Sequence, residues 1–171
     1  LVVTIGAVQS NHARQTAAAC TLMGLKCLII LEQRLKNPPD TYMNSGNVFL
    51  NKLFGADVKV CPREENILEY SKKIMEDIKS KGTKVYFIPG GGSNSIGSLG
   101  YVECLNEIIK ENKKYNFSQI VHATGSSGTQ AGLLAGKKYF NCNIPVVGIC
   151  VRHKKDTQVD KVYTEAKKVC E

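Results

Sequence analysis

Leu1-Val2-Val3-Thr4-Ile5-Gly6-Ala7-Val8-Gln9-Ser10-Asn11-His12-Ala13-Arg14-Gln15-Thr16-Ala17-Ala18-Ala19 reads as a strand, a polar turn and a helix in unbroken succession. The run Leu1–Ile5 is almost wholly apolar, as expected of a strand buried on both faces. The same alternation continues along the chain. Strands are expected at Leu1–Ile5, Lys26–Leu31, Ala56–Val60, Lys84–Ile88, Gln119–Ala123 and Val146–Val151. Between and after them, helical periodicity covers Asn11–Met23, Thr41–Leu53, Asn66–Ser80, Leu99–Lys114, Gln130–Tyr139 and Thr157–Cys170. Apolar strands separated by helices predict an α/β chain with parallel sheets covered by helices, of the doubly wound kind.

Composition narrows the function classes. Of 171 residues, 43% are hydrophobic and 22% charged, which fits a folded globular chain rather than a disordered one. No apolar run approaches the ~20 residues of a membrane span, and no basic region or cleavage site makes the start a signal peptide. Seven cysteines are an odd number and none forms a Cys-x-x-Cys pair, so the expectation is reduced thiols in a cytoplasmic protein, with no metal site. The formal net charge of +8 raises nucleic-acid binding. Against it, pairs such as Lys72-Lys73, Lys113-Lys114 and Lys167-Lys168 are scattered over helix faces, with no aromatic platform among them.

The rhythm breaks once, at Pro89-Gly90-Gly91-Gly92-Ser93-Asn94-Ser95-Ile96-Gly97. Such a glycine-rich stretch serves as a connector, a hinge or a place where backbone approaches a ligand. Taken as a boundary, it divides the chain into a small α/β domain, 1–88, and part of a larger one, 89–171. With only two strands the second part has open edges and little core, so the expectation is an incomplete fold.

Two loops carry chemistry. The first follows the first strand, at the carboxyl edge where α/β folds bind ligands. Ser10 or Asn11 is the expected N-cap of the next helix. Capping accounts for one residue, whereas Gln9, Ser10, Asn11 and His12 form a polar row at the mouth of a buried strand, suited to gripping a polar ligand. His12 has the chemistry of a general base, but no carboxylate close in sequence orients it, so binding is its expected role.

The second loop is Thr124-Gly125-Ser126-Ser127-Gly128-Thr129, followed by a helix. Its glycines free the backbone to present N–H groups, its hydroxyls add donors, and the helix N-terminus adds partial positive charge. No Gly-Lys-Ser/Thr ends it and no third glycine completes a dinucleotide fingerprint, so a single phosphate monoester is the expected ligand.

These loops, with Gly55-Ala56-Asp57-Val58 and Pro89 to Val102, resemble the fold-type II (tryptophan synthase β-like) pyridoxal-phosphate enzymes. Within them, the resemblance is to the branch of 1-aminocyclopropane-1-carboxylate deaminase and D-cysteine desulfhydrase. His12, where deaminases tend to carry Gln, together with Gly91-Gly92-Ser93-Asn94 and Leu99-Gly100-Tyr101-Val102, resembles the desulfhydrase version.

The resemblance implies pyridoxal 5'-phosphate as cofactor and a small amino acid as substrate, with no nucleic acid or membrane partner. It implies that Ser10 contacts the substrate carboxylate and acts as nucleophile or proton carrier. Asn11 hydrogen-bonds the cofactor ring oxygen, His12 joins Ser10 and Asn11 in binding substrate, and Gly125, Ser126, Ser127, Gly128 and Thr129 hold the phosphate. It places the family's Schiff-base lysine in a segment upstream of Leu1 and other partners beyond Glu171. The full-length protein is expected to be a homodimer that splits D-cysteine into pyruvate, sulfide and ammonia, and these residues alone are expected to be inactive. Other readings stay open: a deaminase, formally a hydrolase; a non-catalytic phosphate-binding module; and a basic interaction protein.

Overall fold

The computed structural model describes all 171 residues, Leu1–Glu171. The chain divides into two compact units, Leu1–Gly91 and Gly92–Glu171. The first holds β1 (Val2–Ala7), α1 (Asn11–Leu22), β2 (Cys27–Glu32), α2 (Asp40–Asn44), α3 (Gly46–Leu53), β3 (Asp57–Cys61), α4 (Ile67–Ser80) and β4 (Tyr86–Ile88). The second holds α5 (Ser95–Tyr115), β5 (Ile120–Thr124), α6 (Gly128–Tyr139), β6 (Val146–Cys150) and α7 (Lys155–Cys170). Every paired strand is parallel, so the molecule is α/β with parallel sheets and helices.

In the first unit the strands run β3-β2-β1-β4. β2 lies inside the sheet, and Ile29, Ile30 and Leu31 are fully buried, which is why that run is uniformly apolar. Because side chains alternate along a strand, Val2, Ile29 and Leu31 join Ala13, Ala17 and Cys20 of α1 in one core layer. Val3, Ile5, Leu28 and Ile30 face the other way, against Ile67, Tyr70, Ile74 and Ile78, a single stripe of α4. Asn66 starts that helix by accepting from the N–H groups of Leu68 and Glu69 at 2.9 and 3.3 Å. The chain winds outward from β1 through β2 to β3, then crosses back to place β4 on the other side of β1. Strand order therefore reverses beside β1, and the carboxyl ends of β1 and β4 meet at the switch point.

The single helix expected over Thr41–Leu53 is two. Ser45 is extended and Gly46 has φ +57°, so the chain turns between α2 and α3. The cause is Gln9: its Nε2 donates to the carbonyls of Tyr42 and Ser45 at 2.6 and 3.1 Å, and its Oε1 accepts from the Asn47 N–H at 2.9 Å. One amide side chain thus takes over the backbone hydrogen bonds that a continuous helix would have made.

The second unit pairs β5 with β6 only. α5 packs on α6 across glycines: a Cβ on Gly132 would stand 2.2 Å from the Ser98 carbonyl, and one on Gly136 would stand 3.1 Å from Leu105. α5 begins at Ser95, earlier than the expected Leu99, because Asn94 Oδ1 accepts from the Gly97 N–H at 2.7 Å and caps the helix there. The two-stranded sheet is covered on one face. Gly148 lies close under Gln130 of α6, whereas Val121, Val147 and Ile149, at alternating positions, remain 55, 39 and 54% exposed. The expectation of strands covered on both faces holds for the first unit and not for this sheet.

Candidate functional site

Ser10 is the residue that caps α1: its Oγ accepts from the Ala13 N–H at 3.2 Å. That bond uses a lone pair, so the hydroxyl proton stays available to a ligand. A Cβ on Gly6 would lie 2.7 Å from Ser10 Oγ, so glycine at the last position but one of β1 leaves room for the cap to seat.

Asn11 is exposed and oriented by a network the sequence did not announce. A backbone carbonyl can only accept, so the 3.0 Å bond between Asn47 and the Gln9 carbonyl fixes the Asn47 amide with Nδ2 inward. The same Nδ2 donates to Asn11 Oδ1 at 2.9 Å. Asn11 therefore has its oxygen engaged and its Nδ2–H₂ free, a donor aimed by its neighbour. Gln9 is likewise committed, to the α2–α3 turn, and belongs to the scaffold of the loop rather than to its gripping face.

His12 stands on the second residue of α1 with Nε2 2.7 Å from Thr4 Oγ1. Thr4 is fully buried and itself donates to the Ile88 carbonyl at 2.9 Å. This chain of bonds spans β1, β4 and α1 at the switch point. Burial holds the His12 pKa below the ordinary 6.5. A hydroxyl eight residues earlier, not a carboxylate, orients this ring.

In the second unit, β5 ends at Thr124, whose buried Oγ1 accepts from Gln158 Nε2 at 3.0 Å. Gly125, Ser126 and Ser127 then turn into α6, and Ser127 has φ +84°, a left-handed conformation costly for a residue with a Cβ. The first backbone bond of α6 runs from the Ala131 N–H to the Ser127 carbonyl. Of the N–H groups ahead of it, Gly128 donates to Ser93 Oγ at 3.1 Å, while those of Thr129 and Gln130 have no acceptor in the chain.

Ser93, from the glycine-rich stretch, also donates to Ser126 Oγ at 2.7 Å. In the sequence Ser93 is one residue of a glycine-rich stretch, with nothing local to mark it as part of this turn. A Cβ on Gly128 would meet Ser93 Oγ at 2.7 Å, so glycine is needed for that approach. Arg152 follows β6, its Cβ 3.8 Å from where a Gly125 Cβ would stand. Unpaired N–H groups on a twelve-residue helix, with hydroxyls in the turn before it, suit a phosphate monoester. The free amide of Asn11 suits an anionic ring oxygen. Each unit, taken by itself, thus carries residues whose chemistry fits a part of pyridoxal phosphate.

Comparison with known proteins points the same way. Residues 2–169 match the family described as pyridoxal-phosphate dependent enzyme. The chain is 38% identical over 163 residues to a D-cysteine desulfhydrase of Serratia proteamaculans, covering 94% of this chain and 49% of that protein. A D-cysteine desulfhydrase of Yersinia enterocolitica is 37% identical over 162 residues, with the same coverage. A solved structure, an ACC deaminase homologue, superposes with a TM-score of 0.84 at 35% identity, over 98% of this chain and 50% of that one. The chain thus spans about half the length of the relatives it matches.

Proposed function

The chain belongs to the pyridoxal-phosphate dependent enzymes, and from this premise we propose that the protein carrying it is a D-cysteine desulfhydrase, a lyase that cleaves the β-carbon–sulfur bond of D-cysteine. The observation that carries the reading is the oriented amide of Asn11: with its oxygen held by Asn47, it offers only a donor, as a phenolic oxygen requires. The Gly125–Thr129 turn and the free N–H groups of Thr129 and Gln130 take the phosphate. When bound, the cofactor supplies the electron sink for the pair left as the α-proton departs.

The chain's own residues do the holding. Ser10, with its lone pair spent on the cap, donates its hydroxyl proton to the substrate carboxylate and so fixes the direction of the reacting bonds. His12 meets the substrate from the next turn position but one. Neither loop contains a lysine, so the amine that bonds the cofactor comes from outside these two segments. A cytoplasmic, homodimeric protein acting on a free amino acid, without nucleic acid, completes the proposal. No helix is long and apolar enough to cross a membrane.

The likeness to the ACC deaminase homologue supports a second reading, deamination of a cyclopropane amino acid. The test is to supply the full-length protein, loaded with pyridoxal phosphate, with each substrate. Sulfide with pyruvate from D-cysteine is the expected result. A four-carbon keto acid with ammonia from the cyclopropane substrate, and no sulfide, would replace the first reading by the second.

A further inference from the structure

Thr4 sits in the middle of β1 and is fully buried. Alternation puts it on the same face as Val2, beneath α1, so a polar residue occupies a core position directly under the start of the ligand-facing helix. A buried hydroxyl needs partners, and Thr4 has two of them, the Ile88 carbonyl at 2.9 Å and His12 Nε2 at 2.7 Å.

The hydroxyl has one proton to give. The Ile88 carbonyl can only accept, so the proton lies there, and the side of Oγ1 facing His12 is a lone pair. At 2.7 Å two lone pairs cannot face each other, so His12 must donate from Nε2. A neutral imidazole has a single N–H, and burial favours the neutral ring. Nδ1 is then a bare lone pair, and it has no hydrogen-bond partner in the chain.

We propose that Thr4 is a positioning residue: its hydroxyl fixes the His12 proton on Nε2 and leaves Nδ1 as the acceptor that meets the side-chain thiol of the substrate. The identity of that donor rests on the D-cysteine reading; the tautomer does not. His12 thereby acts as an acceptor, and it cannot protonate a leaving group through Nδ1. The arrangement also sorts substrates, since an amino acid whose β-substituent carries no hydrogen gains nothing from it.

The test uses the full chain labelled with ¹⁵N-histidine, with the His12 signals identified by their loss in His12→Gln. A long-range proton–nitrogen correlation at about pH 8, above the ordinary histidine range, should show the neutral Nε2–H ring in the wild type. Thr4→Ser, which keeps the hydroxyl, should give the same pattern, and Thr4→Val, which keeps the shape, should give mixed tautomers. A wild-type proton on Nδ1 overturns the proposal, and so does an unchanged tautomer in folded Thr4→Val. Should Thr4→Val fold poorly, the wild-type spectrum alone decides.

In turnover, Thr4→Val should raise KM for D-cysteine by about 5- to 10-fold, the size of one lost hydrogen bond. KM for β-chloro-D-alanine, which has no side-chain donor, should stay within about twofold. Equal rises for both substrates would remove the thiol contact. If the wild type releases no sulfide while the ring spectrum is as expected, the substrate reading fails and the tautomer assignment stands.

Discussion

Ser10 caps α1 and, as proposed, holds the substrate with the same oxygen, and the two roles can be separated. Its lone pair caps α1, so Ser10→Ala should lower stability by about 1 kcal/mol, read as a drop in Tm. On the proposed role its proton serves the substrate, so the same variant of the full-length protein should bind pyridoxal phosphate normally and lose about 10²-fold in turnover. A lower Tm with normal turnover would reduce Ser10 to a cap. His12 adds a pH dependence. Its folded pKa lies below the ordinary 6.5 because burial opposes the charge. As pH falls below 6.5, the unfolded chain takes up a proton that the folded one refuses, so stability falls until the pH passes the lowered folded value. Thermal unfolding between about pH 8 and 5 should therefore show a loss that is smaller in His12→Gln; equal slopes would refute it. The polar row from Gln9 to His12 was legible because four such residues at the end of an apolar strand have no packing reason to be there. Asn47 and Thr4 were not legible. Each works through a partner 36 or 8 residues away, and nothing in its own neighbourhood marks it.

Elements are held in register here by glycines that let backbone approach backbone. Gly132→Ala would drive a Cβ to 2.2 Å from the Ser98 carbonyl, and a main-chain atom cannot swing aside as a long side chain does. The expected cost is about 1–3 kcal/mol as α6 moves off α5, measurable by denaturant unfolding. Gly100→Ala, on the same pair of helices, meets nothing within 4 Å and is the control, expected to be neutral or slightly stabilising. Apart from the α2–α3 break, element existence and order followed from hydrophobic period, because both periods are set by backbone geometry. The other errors fell at termini. α5 starts at Ser95 rather than Leu99 because an asparagine cap outweighs Gly97 in the first turn. The α2–α3 break needed a tertiary cause, Gln9, although Ser45-Gly46 was a local hint.

For the whole molecule, the distribution of thiols and apolar surface gives two measurable consequences. All seven cysteines are free; Cys20, Cys27 and Cys61 are buried, while Cys150 and Cys170 are exposed. Desolvation, with Cys20 adjacent, pushes the Cys27 thiol up to about 12. An alkylating reagent on the native chain should modify Cys150 and Cys170 first and reach Cys27 only on unfolding, as mass mapping would show. Rapid labelling of Cys27 would contradict the packing of α1 on β2. The open face of the β5–β6 sheet, with Val121, Val147 and Ile149 exposed, should bind a hydrophobic dye in the 171-residue chain alone. Introducing Val121→Lys with Ile149→Lys should abolish most of that fluorescence. The parallel architecture was readable from apolar runs; the bare face was not, since each of its residues is as apolar as a buried one.

Gln9 grips the α2–α3 turn, and Asn47 at the start of α3 grips Asn11 in return. The Gln9–Asn11 turn and a helix pair far along the chain therefore open together or stay closed together. In hydrogen exchange the amides of Asn11–Ala13 and of Asn47 should share one opening free energy, and slow in concert when pyridoxal phosphate binds. A nascent chain whose α3 has not docked would hold Asn11 with its amide unaimed, so affinity for the cofactor would mature only as the last helix of that layer settles. Cofactor uptake would then serve as a clock for the folding of this unit.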